Sequence, residues 1–214
     1  MNDKDISNLR IHYDKSALSE EHAPDFPFSL FEKWFQEALR GDILEPNAMV
    51  LSTVSDHKPH ARVVLLKGAS PEGFEFYTNY LSNKGRQLAD NPNACLTFFY
   101  DRMERQIRVE GIVTKLSAEQ SDAYFHSRPR GSQIGAWVSE QSQVISSASL
   151  LEEKQKQLEK RFEGMDILPR PENWGGFLLK AESIEFWQGR PNRLHDRLLY
   201  TRSGDTWVRE RLSP

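Results

Sequence analysis

Cysteine is almost absent. Cys95 is the single thiol in 214 residues, so no disulfide can form within the chain, and its apolar run from Ala94 to Tyr100 suits a buried, inert side chain. No apolar run is long enough to span a bilayer, and the polar Met1 to Asn8 carries no signal-peptide core. A reducing cytoplasm without a membrane partner is therefore the expected location. Net charge is small: 28 Lys+Arg against 31 Asp+Glu leaves -3, without the basic excess of a nucleic-acid binder. The phosphate-binding patterns G-x-x-x-x-G-K-[ST] and G-x-G-x-x-G are missing, and so are the G-x-S-x-G elbow and H-E-x-x-H. Asp56, His57 and His60 surround a turn at Pro59 with no cysteine support, so no metal site is expected. Hydrolysis through a covalent intermediate has no partnered nucleophile to begin it.

What is present is a β-rich chain with a few helices. Residues 1–25 read as a polar, mobile lead-in and 26–214 as one domain. Ser29-Leu-Phe-Glu32 reads as a capping box, followed by Phe31, Trp34, Phe35 and Ala38 at helical spacing until Gly41. Five short strands are expected at 48–54, 61–67, 73–78, 94–100 and 106–116, with a helix at 82–91 between the third and fourth. Further capping boxes at Ser117 and Ser149 open helices running to about His126 and Phe162, and strands at 176–180, 184–188, 198–202 and 206–211 close the chain. Short, closely spaced strands favour an antiparallel meander or barrel.

Three stretches carry candidate chemistry. Arg62-Val-Val-Leu-Leu-Lys67 is an apolar strand with a cation at each end; strict alternation puts the two on opposite faces, and snorkelling ends are the plain alternative. From Tyr77 to Lys84 a strand enters a helix, where hydroxyls, helix-terminal amides and Lys84 can cradle a phosphate. Tyr124, Arg128, Arg130 and Ser132 are phosphate-directed donors around a Pro/Gly turn, although a solvated basic loop has the same composition. Near the end, Trp187-Gln-Gly-Arg-Pro-Asn-Arg-Leu-His-Asp-Arg197 puts Arg193, His195 and Arg197 on one face if extended. That row can hold an anion beside a titratable imidazole or be a solvated hairpin arm. Several anion-binding clusters with aromatics suit two phosphorylated aromatic molecules held face to face.

Taken together, these segments resemble the pyridoxine/pyridoxamine 5'-phosphate oxidase family. The resemblance runs from about Arg10 to Pro214 and includes Glu104-Arg-Gln106, Phe125-His-Ser-Arg-Pro-Arg130, Ser132-Gln-Ile-Gly-Ala-Trp-Val-Ser139, Trp174-Gly-Gly-Phe177 and Phe186-Trp-Gln-Gly189. It implies an FMN-binding split β-barrel, mainly β and antiparallel with peripheral helices, forming a homodimer with FMN at the interface. By motif, the flavin shell would be Arg62, Val63, Val64, Leu65, Leu66, Lys67, Tyr77, Thr78, Lys84, Gln106, Gln141, Ser142, Trp187 and Arg197. Arg10, Tyr13, Lys67, Tyr124, Arg128 and Ser132 would bind the substrate, with Arg193 and His195 as the catalytic pair over its ring. The implied reaction oxidises pyridoxine 5'-phosphate or pyridoxamine 5'-phosphate to pyridoxal 5'-phosphate, O2 being reduced to H2O2. Asn83 departs from the family's usual Ser-Arg-Lys, which leaves weaker FMN binding or substitution by Arg86 as the two consequences. A nicotinamide-dependent FMN reductase and a non-catalytic pyridoxal-phosphate or FMN carrier are the competing readings.

Overall fold

A computed structural model describes residues 6–9 and 11–214, and of Ser7 the backbone alone. Arg10, expected at the substrate, lies outside the described residues. The helices are α1 (Pro27–Arg40), α2 (Asn83–Asp90), α3 (Ala118–Ser127), α4 (Arg130–Val138) and α5 (Ser149–Arg161). The strands are β1 (Ala48–Ser55), β2 (Lys58–Leu65), β3 (Gly68–Ser70), β4 (Gly73–Asn79), β5 (Asn93–Tyr100), β6 (Arg105–Lys115), β7 (Trp174–Gln188), β8 (Asp196–Ser203) and β9 (Thr206–Arg211). They hydrogen-bond in the order β2-β1-β5-β6-β7-β4-β3, with β8 on β7 and β9 on β8. The β3–β4, β4–β7, β7–β8 and β8–β9 pairs are antiparallel. No described helix is long and apolar enough to cross a membrane.

The chain forms two compact units. The first comprises residues 1–49, 96–109 and 182–214, the second 50–95 and 110–181. In the first, α1 buries Phe28, Leu30, Phe31, Trp34 and Ala38. Phe31 meets Phe98 edge-on, and Trp34 meets Phe186 in the same way at 5.3 Å between centroids. Arg105 lies 4.4 Å over the Trp34 ring, pairs with Glu37 and donates through Nε to Gln188 Oε1 at 2.8 Å. The segment read as a mobile lead-in makes specific contacts in this unit. The Lys15 amide donates to Glu104, the Leu18 amide to Asp196 Oδ2, and Arg211 grips Glu20 through two nitrogens.

In the second unit, Phe125, Ile134, Val138, Leu158, Phe162, Leu168 and Trp174 form a core under α3, α4 and α5. The expected capping box at Ser117 is formed with Gln120. The other two are not. Pro27 at N1, with fixed φ and no N–H to satisfy, starts α1 two residues before Ser29, and Ser149 lies inside α5 rather than before it. Two further expectations change. The strands at 176–180 and 184–188 are one continuous β7, because the polar Glu182 and Ser183 continue the alternation instead of turning the chain. The Arg-Pro-Arg-Gly turn opens α4: Pro129 ends α3's continuation, and Gly131 and Gly135 are accommodated as helical residues.

Two substitutions test these supports. A Cβ on Gly85 would stand 2.1 Å from the Tyr80 carbonyl oxygen, so Gly85→Ala is expected to cost roughly 1–3 kcal/mol in urea unfolding and to loosen the α2 entrance. Hydrogen bonds from Arg211 hold the Glu20 carboxyl down at about 2. A depressed carboxyl contributes stability above its ordinary value near 4.5 and loses that contribution as pH falls through its folded value. Glu20→Gln should therefore lower the melting temperature at pH 7, with the difference from the parent vanishing by about pH 2 in melts across that range.

Candidate functional site

The chemistry of the second unit converges on one cavity of about 800 Å³. Four cations line it, Arg62, Lys67, Lys84 and Arg128, with no carboxylate among the lining residues. Local structure explains how each arrives. Asp56 and His57, both at positive φ, make the two-residue turn that returns β2 along β1. Arg62 then donates to Leu51 O, Thr53 Oγ1 and Gln87 Oε1, all neutral acceptors. At the end of β4, Asn79 Oδ1 accepts the Leu81 amide, and Ser82 Oγ caps α2 by accepting the Gly85 amide. That sharp reversal lets Lys84 Nζ reach back to Thr78 Oγ1 at 3.3 Å and Gln141 Oε1 at 3.0 Å. Burial, with Arg62 adding repulsion, pushes the Lys84 pKa down.

The other wall is aromatic. Tyr77 stacks on Tyr124 at 3.9 Å between centroids, and both lie parallel to Trp174. Gly175 and Gly176 make this possible: a Cβ on Gly176 would meet Tyr77 Cε1 at 2.7 Å, and one on Gly175 would meet Tyr80 Oη at 2.1 Å. Burial and the nearby Glu75 push the Tyr77 phenol up to about 12, so it stays a neutral donor. Arg128 lies 4.5 Å over the Trp174 ring, and its Nη1 is buried without a hydrogen-bond partner. A buried, permanently charged donor left unpaired is unfavourable unless something completes it, and an anion in the cavity does so. Ser132, on the first turn of α4, lines the same cavity.

The cavity therefore gathers Arg62, Val63, Val64, Leu65, Lys67, Tyr77, Thr78, Lys84, Tyr124, Arg128, Ser132 and Gln141 of the expected set. Leu66 is buried and does not line it. Ser142 is not a lining residue either; its Oγ accepts the Asn83 amide and so occupies one free N–H at the start of α2. Arg86 is exposed and off the cavity wall, and Arg130 donates to Phe162 O and Met165 O beyond the end of α5. Asn79, Pro129, Gly135, Ala136, Ser139 and Trp174 also line the cavity without having been expected there. All of them lie in or beside the motifs that carry the family resemblance, which was the available signal.

The remaining expected residues belong to the first unit. Tyr13, Trp187 and His195 form an aromatic cluster: Tyr13 stands edge-on to both rings, and Trp187 and His195 are 4.6 Å apart. Arg197 pairs opposite Trp187 in the β7–β8 register and donates to Glu185 Oε1 at 2.8 Å. Gln106 is half-buried on β6. The expected extended row at 193–197 does not form. Residues 191–193 make a 3-10 turn with Asn192 and Arg193 at positive φ, and β8 begins only at Asp196, so alternation cannot align Arg193 with His195.

Comparisons with known proteins point to one family. Residues 35–161 match the family profile described as pyridoxamine 5'-phosphate oxidase, and 174–214 match the pyridoxine 5'-phosphate oxidase C-terminal dimerisation region. A Burkholderia lata protein named pyridoxine/pyridoxamine 5'-phosphate oxidase is 53% identical over 98% of this chain and 99% of its own length. One of the same name from Flavobacterium psychrophilum is 55% identical over 99% and 100%. Among solved structures, PhzG from Burkholderia lata, crystallised with tetrahydrophenazine-1-carboxylic acid, matches with a TM-score of 0.86 at 27% identity over 93% of this chain and 98% of that one. An FMN-binding protein from Nostoc punctiforme shares the fold, with a TM-score of 0.71 at 18% identity over 90% and 100%.

The unpaired Arg128 gives a direct test. Arg128→Met should leave the urea midpoint unchanged or raised without anion, because it removes an uncompensated buried charge. The stabilisation by added inorganic phosphate should weaken by about 10- to 100-fold in affinity, the equivalent of ~1.5–3 kcal/mol for a hydrogen bond to a charged group. Urea unfolding without anion measures the first, and thermal melts across a phosphate series measure the second.

Proposed function

Since this chain belongs to the pyridoxamine 5'-phosphate oxidase family, we propose that it oxidises pyridoxine 5'-phosphate and pyridoxamine 5'-phosphate to pyridoxal 5'-phosphate, with O2 reduced to H2O2. The observation that carries this reading is the carboxylate-free cavity with its unpaired Arg128 nitrogen. Its donors fall into two sets by element. Arg62 on β2 and Lys84 on α2 suit the phosphate of FMN, with Thr78 and Gln141 beside them. Arg128 and Ser132, at the α3–α4 junction with Lys67 and Tyr124, suit the phosphate of the substrate. A nicotinamide-dependent reductase or a simple FMN carrier has no use for the second set.

Bound FMN supplies the hydride acceptor and the centre that reacts with O2. The chain's own residues orient and screen. Phosphate contacts at Arg128 and Ser132 fix the substrate's position, and the stacked Tyr77, Tyr124 and Trp174 exclude water from that wall. By the family resemblance, Trp187 and Arg197 would serve the flavin, and Tyr13, Arg193 and His195 the substrate ring. Glu185 holds Arg197 by one carboxylate oxygen and pairs with Arg108 by the other, fixing the Arg197 guanidinium. The reading includes a homodimer in which each flavin cleft is lined by both chains, in keeping with the dimerisation-region match.

Purified protein carrying FMN should bleach when mixed anaerobically with pyridoxamine 5'-phosphate, then regain its yellow colour with peroxide formed on admitting air. Flavin absorbance that ignores the substrate would sink the reading. Arg193→Ala should lower kcat by roughly 100-fold or more with FMN content unchanged, a loss in the range of a positioned catalytic group.

A further inference from the structure

The turn that breaks the expected row at 193–197 also decides the chemistry of His195. With Asn192 and Arg193 in left-handed conformations, the chain doubles back so that the imidazole closes its own loop: the Arg190 backbone amide donates to His195 Nδ1 at 3.1 Å. A backbone amide can only donate, so Nδ1 must be the unprotonated nitrogen, and a neutral ring carries its proton on Nε2. The loop itself is held in several places. The Gly189 amide donates to Glu104 O at 2.7 Å, Arg190 donates to Ser16 O and pairs with Asp196, and Gln188 Nε2 donates to Met103 O and Glu104 O. Tyr13 and Trp187 pack on the ring. Among the described residues, Nε2 has no hydrogen-bond partner.

We propose that His195 acts as a neutral hydrogen-bond donor, offering Nε2–H to an oxygen acceptor of the bound substrate, with its tautomer fixed by the Arg190 amide. It is then not the group that accepts a proton from the substrate. Taking a proton at Nε2 would require that nitrogen's lone pair, which exists only in the opposite tautomer; that tautomer puts a hydrogen on Nδ1 facing the Arg190 N–H and forfeits the bond. Protonation to imidazolium breaks the same bond. Burial and the Arg193 charge lower the imidazole's pKa while Asp196 opposes them, and the remaining neighbours, Tyr13, Trp187 and the Arg190 guanidinium, bring no negative charge to reverse the direction. The identity of the acceptor as a substrate oxygen rests on the oxidase reading. The tautomer does not.

Two measurements decide it. On the 15N-labelled full-length parent, long-range 1H–15N correlation reads each ring nitrogen directly, and a His195→Gln spectrum assigns the signals by their disappearance. The expected pattern is a protonated Nε2 and an unprotonated Nδ1 throughout the neutral range. A protonated Nδ1 would overturn the proposal. In turnover, His195→Gln keeps a donor but has no basic nitrogen, so it should retain kcat within about tenfold of the parent while His195→Leu loses about 100-fold or more. If Gln falls as far as Leu, the donor role is wrong. A parent that shows the expected tautomer and no oxidase turnover would sink the oxidase reading and with it the assigned acceptor, leaving the tautomer lock standing.

Discussion

A guanidinium with a buried, unpaired nitrogen is costly to keep, and the cavity keeps one at Arg128. The rest of the second unit is arranged so that nothing inside the protein removes that cost. Arg62 is satisfied by three carbonyl-type oxygens and a hydroxyl, and Lys84 by Thr78, Ser82 and Gln141. Each acceptor orients its cation without neutralising it. A carboxylate in any of these places would raise stability without ligand and compete with every phosphate that entered. Desolvation lowers the pKa of Arg62, Lys84 and Arg128 alike, which records the same unspent charge at three positions.

The first unit solves the opposite problem. Several of its arginines are fixed by carboxylates: Arg105 by Glu37, Arg108 and Arg197 by Glu185, Arg190 by Asp196, and Arg211 by Asp196 and Glu20. Here charge serves geometry. Asp196 is the clearest case, since it ties the Leu18 amide, the Arg190 side chain and Arg211 to the residue next to His195. Apart from the buried Arg105 and Glu185, the partners are partly exposed, and such pairs contribute little stability singly, but several sharing one carboxylate restrict where each partner can stand. Two adjacent non-glycine residues at positive φ, Asn192 and Arg193, persist because this network over-determines the loop.

Much of this was legible in the residues. The α1 face, the Ser117 capping box, the positions of most strands and the cations at 84 and 128 follow from local pattern, because each depends on neighbours within a turn or a strand; alternation put Arg62 and Lys67 on opposite faces, yet both line the cavity, since β2 ends at Leu65 and Lys67 lies beyond it. What failed depended on competing neighbours or on partners far away in sequence. Pro27 overrode Ser29 as the start of α1. Arg-Pro-Arg-Gly looked like a turn, yet Ile134 and Val138 gain burial against Leu158 and Phe162, and that packing carries the helix through two glycines. Both Leu66 and Val63 were expected in the flavin shell, whereas Leu66 is buried off the cavity and the exposed Val63 lines it. The row at 193–197 failed for a local reason that composition hides, since left-handed backbone is unusual for Arg.

The proposed reaction puts two anions in one cavity, whose four cations all belong to the second unit. Each phosphate that enters lowers the positive potential felt by the next, so a single pooled set of cations would make the two ligands compete. On the proposed assignment Arg62 and Lys84 would serve one phosphate and Arg128 with Lys67 the other, so that each anion would draw mainly on its own donors. The neutral stack of Tyr77, Tyr124 and Trp174 forms the remaining wall without adding charge of either sign, and the raised Tyr77 pKa keeps it so. The absence of carboxylates from the lining leaves both sets free for the two anions of the proposed reaction; an internal anion would already have claimed one of them.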